Sequence, residues 1–219
     1  MGWKVLALAV CVFFSAMAAA FAHPHVLVTS RSEIVLEDRQ VKAVRHIWTF
    51  DETFSAFAIQ GLDSDGDGKL TAEELKPLAQ VNVESLEEYG FFTFLIVAGA
   101  EVDEQPFGDP VDYWLDWDGR QLTLHFTLPL VVNVDAGAGP VRLDVYDPEY
   151  FVAFSLHEEN PAVLAGGAES CRVSVARPRA LDAQAQAKLA QIPAEIRDLP
   201  ENLYAMTSDL ANAILVRCP

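Results

Sequence analysis

The 219 residues predict an α+β, mainly β fold: an antiparallel β-sandwich-like domain with an inserted helix–loop–helix and a C-terminal helical segment. Three observations carry that expectation. Short stretches of β-branched and aromatic residues alternate with polar ones between turn residues. Residues 51–89 switch to helical spacing of apolar residues around an Asp- and Gly-rich loop. Residues 181–210 are rich in Ala and Gln and carry Pro193 and Pro200, which reads as broken helix and loop.

Composition supports a packed core and narrows the function. Hydrophobic residues make up 51% and aromatics 10%, which excludes a disordered acidic chain. Against 32 Asp and Glu stand 15 Lys and Arg, a net charge of -17. That balance argues against nucleic acid, whose phosphates need Lys and Arg patches, and against anionic lipid. The charge is local, because residues 51–118 hold 17 acidic and 2 basic side chains.

Residues 1–22 read as a signal peptide. Lys4 precedes an apolar run from Val5 to Ala20, and Ala20-Phe21-Ala22 forms a small-x-small cleavage site. The run is short for a membrane span, which needs about 20 apolar residues. The expected mature chain is one β-rich domain over 23–219, exported, with no membrane anchor after cleavage.

Strands are expected at 26–29, 33–36, 41–50, 91–97, 111–117, 121–128, 141–146, 150–156 and 171–176. Glu37-Asp38-Arg39-Gln40 reads as a hairpin turn. Asp118-Gly119, Gly137-Ala138-Gly139-Pro140 and Asp147-Pro148 mark other boundaries. Residues 213–218 return as a final strand.

The insertion at 51–89 carries the strongest motif. Asp63-Ser64-Asp65-Gly66-Asp67-Gly68-Lys69-Leu70-Thr71-Ala72-Glu73-Glu74 has an EF-hand residue at each key position. Ca²⁺ is a hard cation that takes about seven oxygen ligands. Asp63, Asp65 and Asp67 offer carboxylates from positions 1, 3 and 5. Gly68 supplies the sharp turn, and Lys69 offers its backbone carbonyl. Thr71 ligates directly or through water, and Glu74 is the bidentate ligand. Leu70 packs inward. Phe54, Phe57, Ala58 and Leu62 give the entering helix an apolar face; Leu75, Leu78, Ala79 and Leu86 do so for the exiting one. Thr71 and Glu74 also have capping-box spacing. The alternative is an acidic loop that binds no metal. With no second hand legible, this one is expected to pack on the β domain as a structural or weak site. That differs from a switch that opens a helix pair.

Cleavage leaves two cysteines, Cys171 and Cys218. An even number in an oxidising compartment predicts a disulfide, and two buried thiols are the alternative. In the chain-entropy account such a bridge stabilises by roughly 3–4 kcal/mol.

Cleavage also exposes His23-Pro24-His25. His23 then offers an amine and an imidazole, and His25 a second imidazole, which suits Zn²⁺, Ni²⁺ or Cu²⁺. Pro24 has no N–H, so the square-planar mode that uses a deprotonated second amide is blocked. His46, His125 and His157 are further candidates, with satisfied or exposed histidines as the alternative. No HExxH, GxSxG, Cys-based zinc spacing or phosphate loop occurs, so the expectation is not an enzyme.

A set of segments in order resembles a known family. These are His23-Pro24-His25-Val26, Trp48-Thr49-Phe50-Asp51-Glu52-Thr53-Phe54-Ser55, Tyr89-Gly90-Phe91-Phe92-Thr93, Leu128-Pro129-Leu130, Tyr146-Asp147-Pro148-Glu149-Tyr150, Val152-Ala153-Phe154 and the pair Cys171 and Cys218. Together they look like bacterial exported proteins of unknown function labelled "ABC-type uncharacterized transport system, periplasmic component". The resemblance covers 23–218. It implies an association with nickel/cobalt-type permeases and a periplasmic part in transition-metal handling. It supplies no catalytic residues. The combined expectation is a calcium-binding accessory of a transition-metal transport system. The alternative is a non-catalytic structural or interaction module whose hand calcium orders. A copper enzyme using His23 as a histidine brace is a remote third, because no third ligand is legible.

Overall fold

The computed structural model describes residues 24–102, 105–167, 169–178, 183–189 and 207–219. The expected signal peptide, His23 and most of 181–210 lie outside the described residues. Mainly β structure in two facing sheets bears out the predicted fold class.

Eleven strands are described. In chain order they are β1 (Val26–Glu37), β2 (Gln40–Phe50), β3 (Thr93–Val97), β4 (Ala100–Glu101), β5 (Val111–Trp117), β6 (Leu122–Asp135), β7 (Val141–Val145), β8 (Val152–Leu156), β9 (Ala162–Gly166), β10 (Arg172–Ala176) and β11 (Asn212–Arg217). One sheet has the order β5-β6-β2-β1-β8, with β9 also on β1; the other runs β10-β11-β7-β3-β4. The second sheet is antiparallel throughout its described pairs.

The first sheet departs from the expectation of antiparallel pairing. β1 is antiparallel to β2, but β8 and β9 both run parallel to it along its other edge. Val26 to Ser30 pair with β8, and Ser32 to Leu36 pair with β9. So the two strands expected at 26–29 and 33–36 are one strand of 12 residues. Ser30 and Ser32 look like a break in the sequence, yet both are buried in the strand. β9 was not expected at all. Its end requires Gly166: φ is +75°, and a Cβ there would lie 2.6 Å from the Leu36 carbonyl oxygen. The 37–40 hairpin forms as expected, with Asp38 at φ 54°.

Period-2 alternation decides which side chains face inward. Along β2, Val44, His46, Trp48 and Phe50 are buried. Val44, Trp48 and Phe50 join Ile34, Leu124, Phe126 and Leu128 from the same sheet, and Leu95, Leu143 and Ile214 from the other, in one core. Trp48 meets Phe126 edge-on at 4.8 Å and Phe154 at 4.9 Å, arrangements that aromatic quadrupoles favour.

Cys171 and Cys218 are bonded, as expected. They sit just before β10 and just after β11, so the bridge closes the outer hairpin-like pair of the second sheet.

The insertion contributes α1 (Glu52–Ala58), α2 (Ala72–Leu86) and a 3₁₀ segment (Glu87–Phe92). α2 buries Leu75, Ala79 and Val83, an i, i+4, i+8 stripe, and packs against β5. Leu78, Leu86 and Leu70 pack more loosely against the same core. Phe57 corrects the expected apolar face of the entering helix: it is 70% exposed. Phe54, Ser55, Ala58 and Ile59 face the core, and Phe57, two residues from both Ser55 and Ile59, falls on the opposite side of the helix. No described helix is long and apolar enough to cross a membrane.

Candidate metal centre

The loop is held by elements that the local sequence builds. Asp51 caps α1: its Oδ1 accepts the Phe54 N–H at 2.9 Å, and its Oδ2 accepts the Leu27 N–H at 2.9 Å. One carboxylate therefore starts the entering helix and fixes it to β1. Ser55 is fully buried, and its Oγ accepts the Leu122 N–H at 3.0 Å, which ties α1 to the start of β6. On the exit side Thr71 caps α2. Its Oγ1 accepts the Glu74 N–H at 3.3 Å, while Glu74 Oε2 accepts the Thr71 N–H at 2.9 Å. This is the capping box that the spacing predicted.

Between these anchors Asp63, Asp65 and Asp67 converge. One carboxylate oxygen from each lies within 4.8 Å of the others, and all three side chains are exposed. The loop's own N–H groups hold the carboxylates in place. Asp63 Oδ1 accepts from Gly66 at 2.8 Å and Asp67 at 3.1 Å, and its Oδ2 accepts from Gly68 at 2.9 Å. Asp65 and Asp67 each accept an N–H two residues on, from Asp67 and Lys69. Gly68 has φ +80°, the left-handed conformation the sharp turn at position 6 requires.

Glu74 lies outside that triad. Its Oε1 accepts the Ser64 N–H at 2.8 Å and the Ser64 hydroxyl at 2.9 Å; its Oε2 also accepts the Thr71 hydroxyl at 2.9 Å. These bonds, the Thr71 N–H first, lower its pKa to about 2. Position 12 is thus an ionised carboxylate aligned across the loop from Ser64 to Thr71. Hard, negatively charged oxygens suit a hard cation rather than a metal that prefers nitrogen or sulfur.

A family model described as "Protein of unknown function (DUF1007)" matches residues 7–218. The chain belongs to that family. An uncharacterized protein of Haemophilus influenzae is 23% identical over 197 residues, covering 90% of this chain and 91% of its own length.

The described histidines of this DUF1007 chain form no metal-ligating group. Among the described residues, the aspartate triad is the only group of three or more His, Cys, Asp or Glu able to hold a metal. His25 stacks on Phe151 at 4.6 Å, and its N–H donates to the Phe151 carbonyl at 2.8 Å. His46 is buried, with Ser32 Oγ 3.1 Å from Nδ1 and Thr93 Oγ1 3.2 Å from Nε2. The Thr93 hydroxyl donates to the Phe91 carbonyl, so it accepts from His46 Nε2–H, and Nδ1 accepts from Ser32. Both ring nitrogens are occupied, which removes His46 as a ligand. Burial lowers its pKa to about 3.

His125 stacks on Trp114 at 4.4 Å and has Asp116 Oδ2 3.0 Å from Nε2. Partial burial lowers its pKa, opposed by Asp116. His157 has Arg31 Nη2 2.9 Å from its ring, which that contact already engages. Asp147 is the residue sequence reasoning missed. It is buried, and its two oxygens accept the Glu149 and Val152 N–H groups at 2.8 Å, which builds the turn into β8. The Asp147-Pro148 turn signal marks its position, but nothing in the sequence marks its burial.

Proposed function

We propose that the protein is an exported, periplasmic calcium-binding protein that acts as an accessory, metal-handling component of a transition-metal transport system. The observation that supports the calcium half is the convergence of Asp63, Asp65 and Asp67 inside a twelve-residue loop closed by Thr71 and Glu74. Lys69 would add its carbonyl, and Thr71 and Glu74 the remaining oxygens. α2 contributes Leu75, Ala79 and Val83 to the domain core, and α1 is bonded to β1 and β6. An ion held there orders the loop between two fixed helices rather than opening a groove.

The transition-metal half rests on the family resemblance and on the amino-terminal His23 and His25. A nickel/cobalt-type membrane permease is the partner this implies, with Ni²⁺, Co²⁺, Zn²⁺ or Cu²⁺ as cargo. In the second reading the protein is a non-catalytic structural or interaction module. The continuity of the hand with the core favours that reading, because calcium then serves the fold alone.

The test is a calcium titration by calorimetry together with melting curves in Ca²⁺ and in excess chelator. Wild-type protein is expected to bind one Ca²⁺ and melt higher with it. Asp63→Ala is expected to lose both effects. Identical melting with and without chelator would overturn the calcium assignment.

A further inference from the structure

Three aspartates precede a glycine: Asp65-Gly66, Asp67-Gly68 and Asp118-Gly119. An aspartate so placed can rearrange to isoaspartate, because a glycine has no side chain to shield its amide nitrogen from the neighbouring carboxyl group. We propose that Asp118 is the one of the three that undergoes this modification in the folded protein, at the turn that ties the β5–β6 hairpin to α1.

The step is intramolecular. The Gly119 nitrogen attacks Cγ of the protonated Asp118 carboxyl group. An N–Cγ bond forms, the Cγ–OH bond breaks, and one water leaves with the amide proton. The five-membered imide then takes up one water. Opening at the main-chain carbonyl leaves Gly119 attached through Cγ, so the backbone now runs through Cβ of residue 118 and is one atom longer. Nothing is oxidised or reduced, and the composition is unchanged.

Exposure does not separate the three sites, because all six residues are exposed. Nor does room, because a Cβ at any of the three glycines would meet nothing within 4 Å. The glycine amides do separate them. Gly66 N–H donates to Asp63 Oδ1 at 2.8 Å and Gly68 N–H to Asp63 Oδ2 at 2.9 Å, so attack at Asp65 or Asp67 must first break a bond to a carboxylate. Gly119 N–H has no partner among the described residues. Asp118 Oδ1 accepts the Gln121 and Arg120 N–H groups, each at 2.8 Å, which folds the carboxyl group forward over the Gly119 peptide. Those two bonds, Gln121 first, also hold the carboxyl below the usual carboxylate range, so its protonated form is scarce at neutral pH and the reaction quickens as pH falls. The charged groups at the turn are Arg120 and, from α1, Glu52, paired with each other at 2.6 Å. Just past it, Gln121 Nε2 donates to the Phe50 carbonyl at 2.7 Å and Leu122 N–H to Ser55 Oγ at 3.0 Å. An added backbone atom at 118 enters directly ahead of these ties.

The test keeps the processed chain warm for several weeks in native buffer and, in parallel, in concentrated urea. Chelator is present throughout, so metal ligation does not enter and the outcome is independent of the calcium reading; circular dichroism verifies the fold. Peptide mapping by mass spectrometry with electron-transfer fragmentation locates isoaspartate, and labelling by an isoaspartyl methyltransferase counts it. At each site the native yield is read against the yield in urea, which removes the effect of local sequence. Asp118 is expected to keep at least fivefold more of its urea yield than Asp65 or Asp67, and to react faster at mildly acidic than at neutral pH. Asp118→Ser retains an oxygen acceptor for the turn and is expected to lose most of the native label. Protection of Asp118 in native buffer equal to that of Asp65 and Asp67 overturns the proposal. So does a native label that Asp118→Ser leaves unchanged.

Discussion

Thr93 and His46 join the two sheets: Thr93 Oγ1 on β3 lies 3.2 Å from His46 Nε2 on β2, both side chains buried. The ring is held in one neutral tautomer between Thr93 and Ser32. Protonation would place a second N–H against Ser32 and a charge in the core.

That arrangement predicts a pH dependence. Unfolded His46 takes a proton near its ordinary pKa of 6.5, whereas folded His46 does so only near 3. Between those values the unfolded chain binds more protons, so falling pH favours unfolding. The loss from this residue approaches about 1.4 kcal/mol per pH unit across that window. A Gln amide can still donate to Thr93 and accept from Ser32. His46→Gln should therefore flatten the fall in stability between pH 6.5 and 4, measured by urea unfolding. Parallel profiles for the two proteins would show that His46 does not titrate this way.

Ser55 predicts how firmly the hand is held. Its Oγ accepts the Leu122 N–H in the core at 3.0 Å. Ser55→Ala leaves that N–H without its acceptor, at a cost of about 1–3 kcal/mol. The exposed Ser85→Ala, on α2, should lie within about 0.5 kcal/mol of wild type. Chemical denaturation of both separates the contact from helix propensity. Equal stabilities would mean that the Ser55 bond contributes nothing net.

These residues show what is legible in a sequence and what is not. The aspartate loop and its capping box were readable because their contacts lie within twelve residues, so spacing alone sets the geometry. β2 was readable from its alternation. Alternation set His46 opposite Ile47 but left open which of them faces inward. That depends on the second sheet, which supplies Thr93 from 47 residues away. Parallel pairing of β8 and β9 on β1 is likewise a tertiary choice with no local signature. β9, Ala162-Val163-Leu164-Ala165-Gly166, has two alanines and a glycine and carries little strand propensity. Phe57 was misplaced because the buried face of α1 is centred on Phe54, Ser55, Ala58 and Ile59, which puts Phe57 on the solvent side.

The Cys171–Cys218 bond closes a loop of 47 residues in sequence. Restricting the unfolded chain over that length is worth about 4 kcal/mol. For a chain of this size the corresponding shift in Tm is on the order of 10 °C. The double variant Cys171→Ser with Cys218→Ser, which leaves no lone thiol, should fold and melt lower by that order. Calorimetry of oxidised wild type against the variant measures it. A shift under about 2 °C would place the constraint elsewhere in the fold.

The amino-terminal histidines give the last prediction. His25 is fixed where the chain enters β1, by its N–H to Phe151 and by ring stacking at 4.6 Å. A chain processed to begin at His23 would add an α-amine and an imidazole next to that ring. Pro24 blocks the amide mode, so chelation must use the free amine. Ni²⁺, Co²⁺, Zn²⁺ and Cu²⁺ should bind protein that starts at His23 and should bind at least tenfold more weakly once one residue is placed ahead of it. His25→Ala, which spares the amine, should weaken binding less than that extension. With calcium saturating, the aspartate loop is occupied and does not compete for the added metal. Equal binding by the extended and processed chains would remove the amino terminus as the site, leaving the calcium reading untouched.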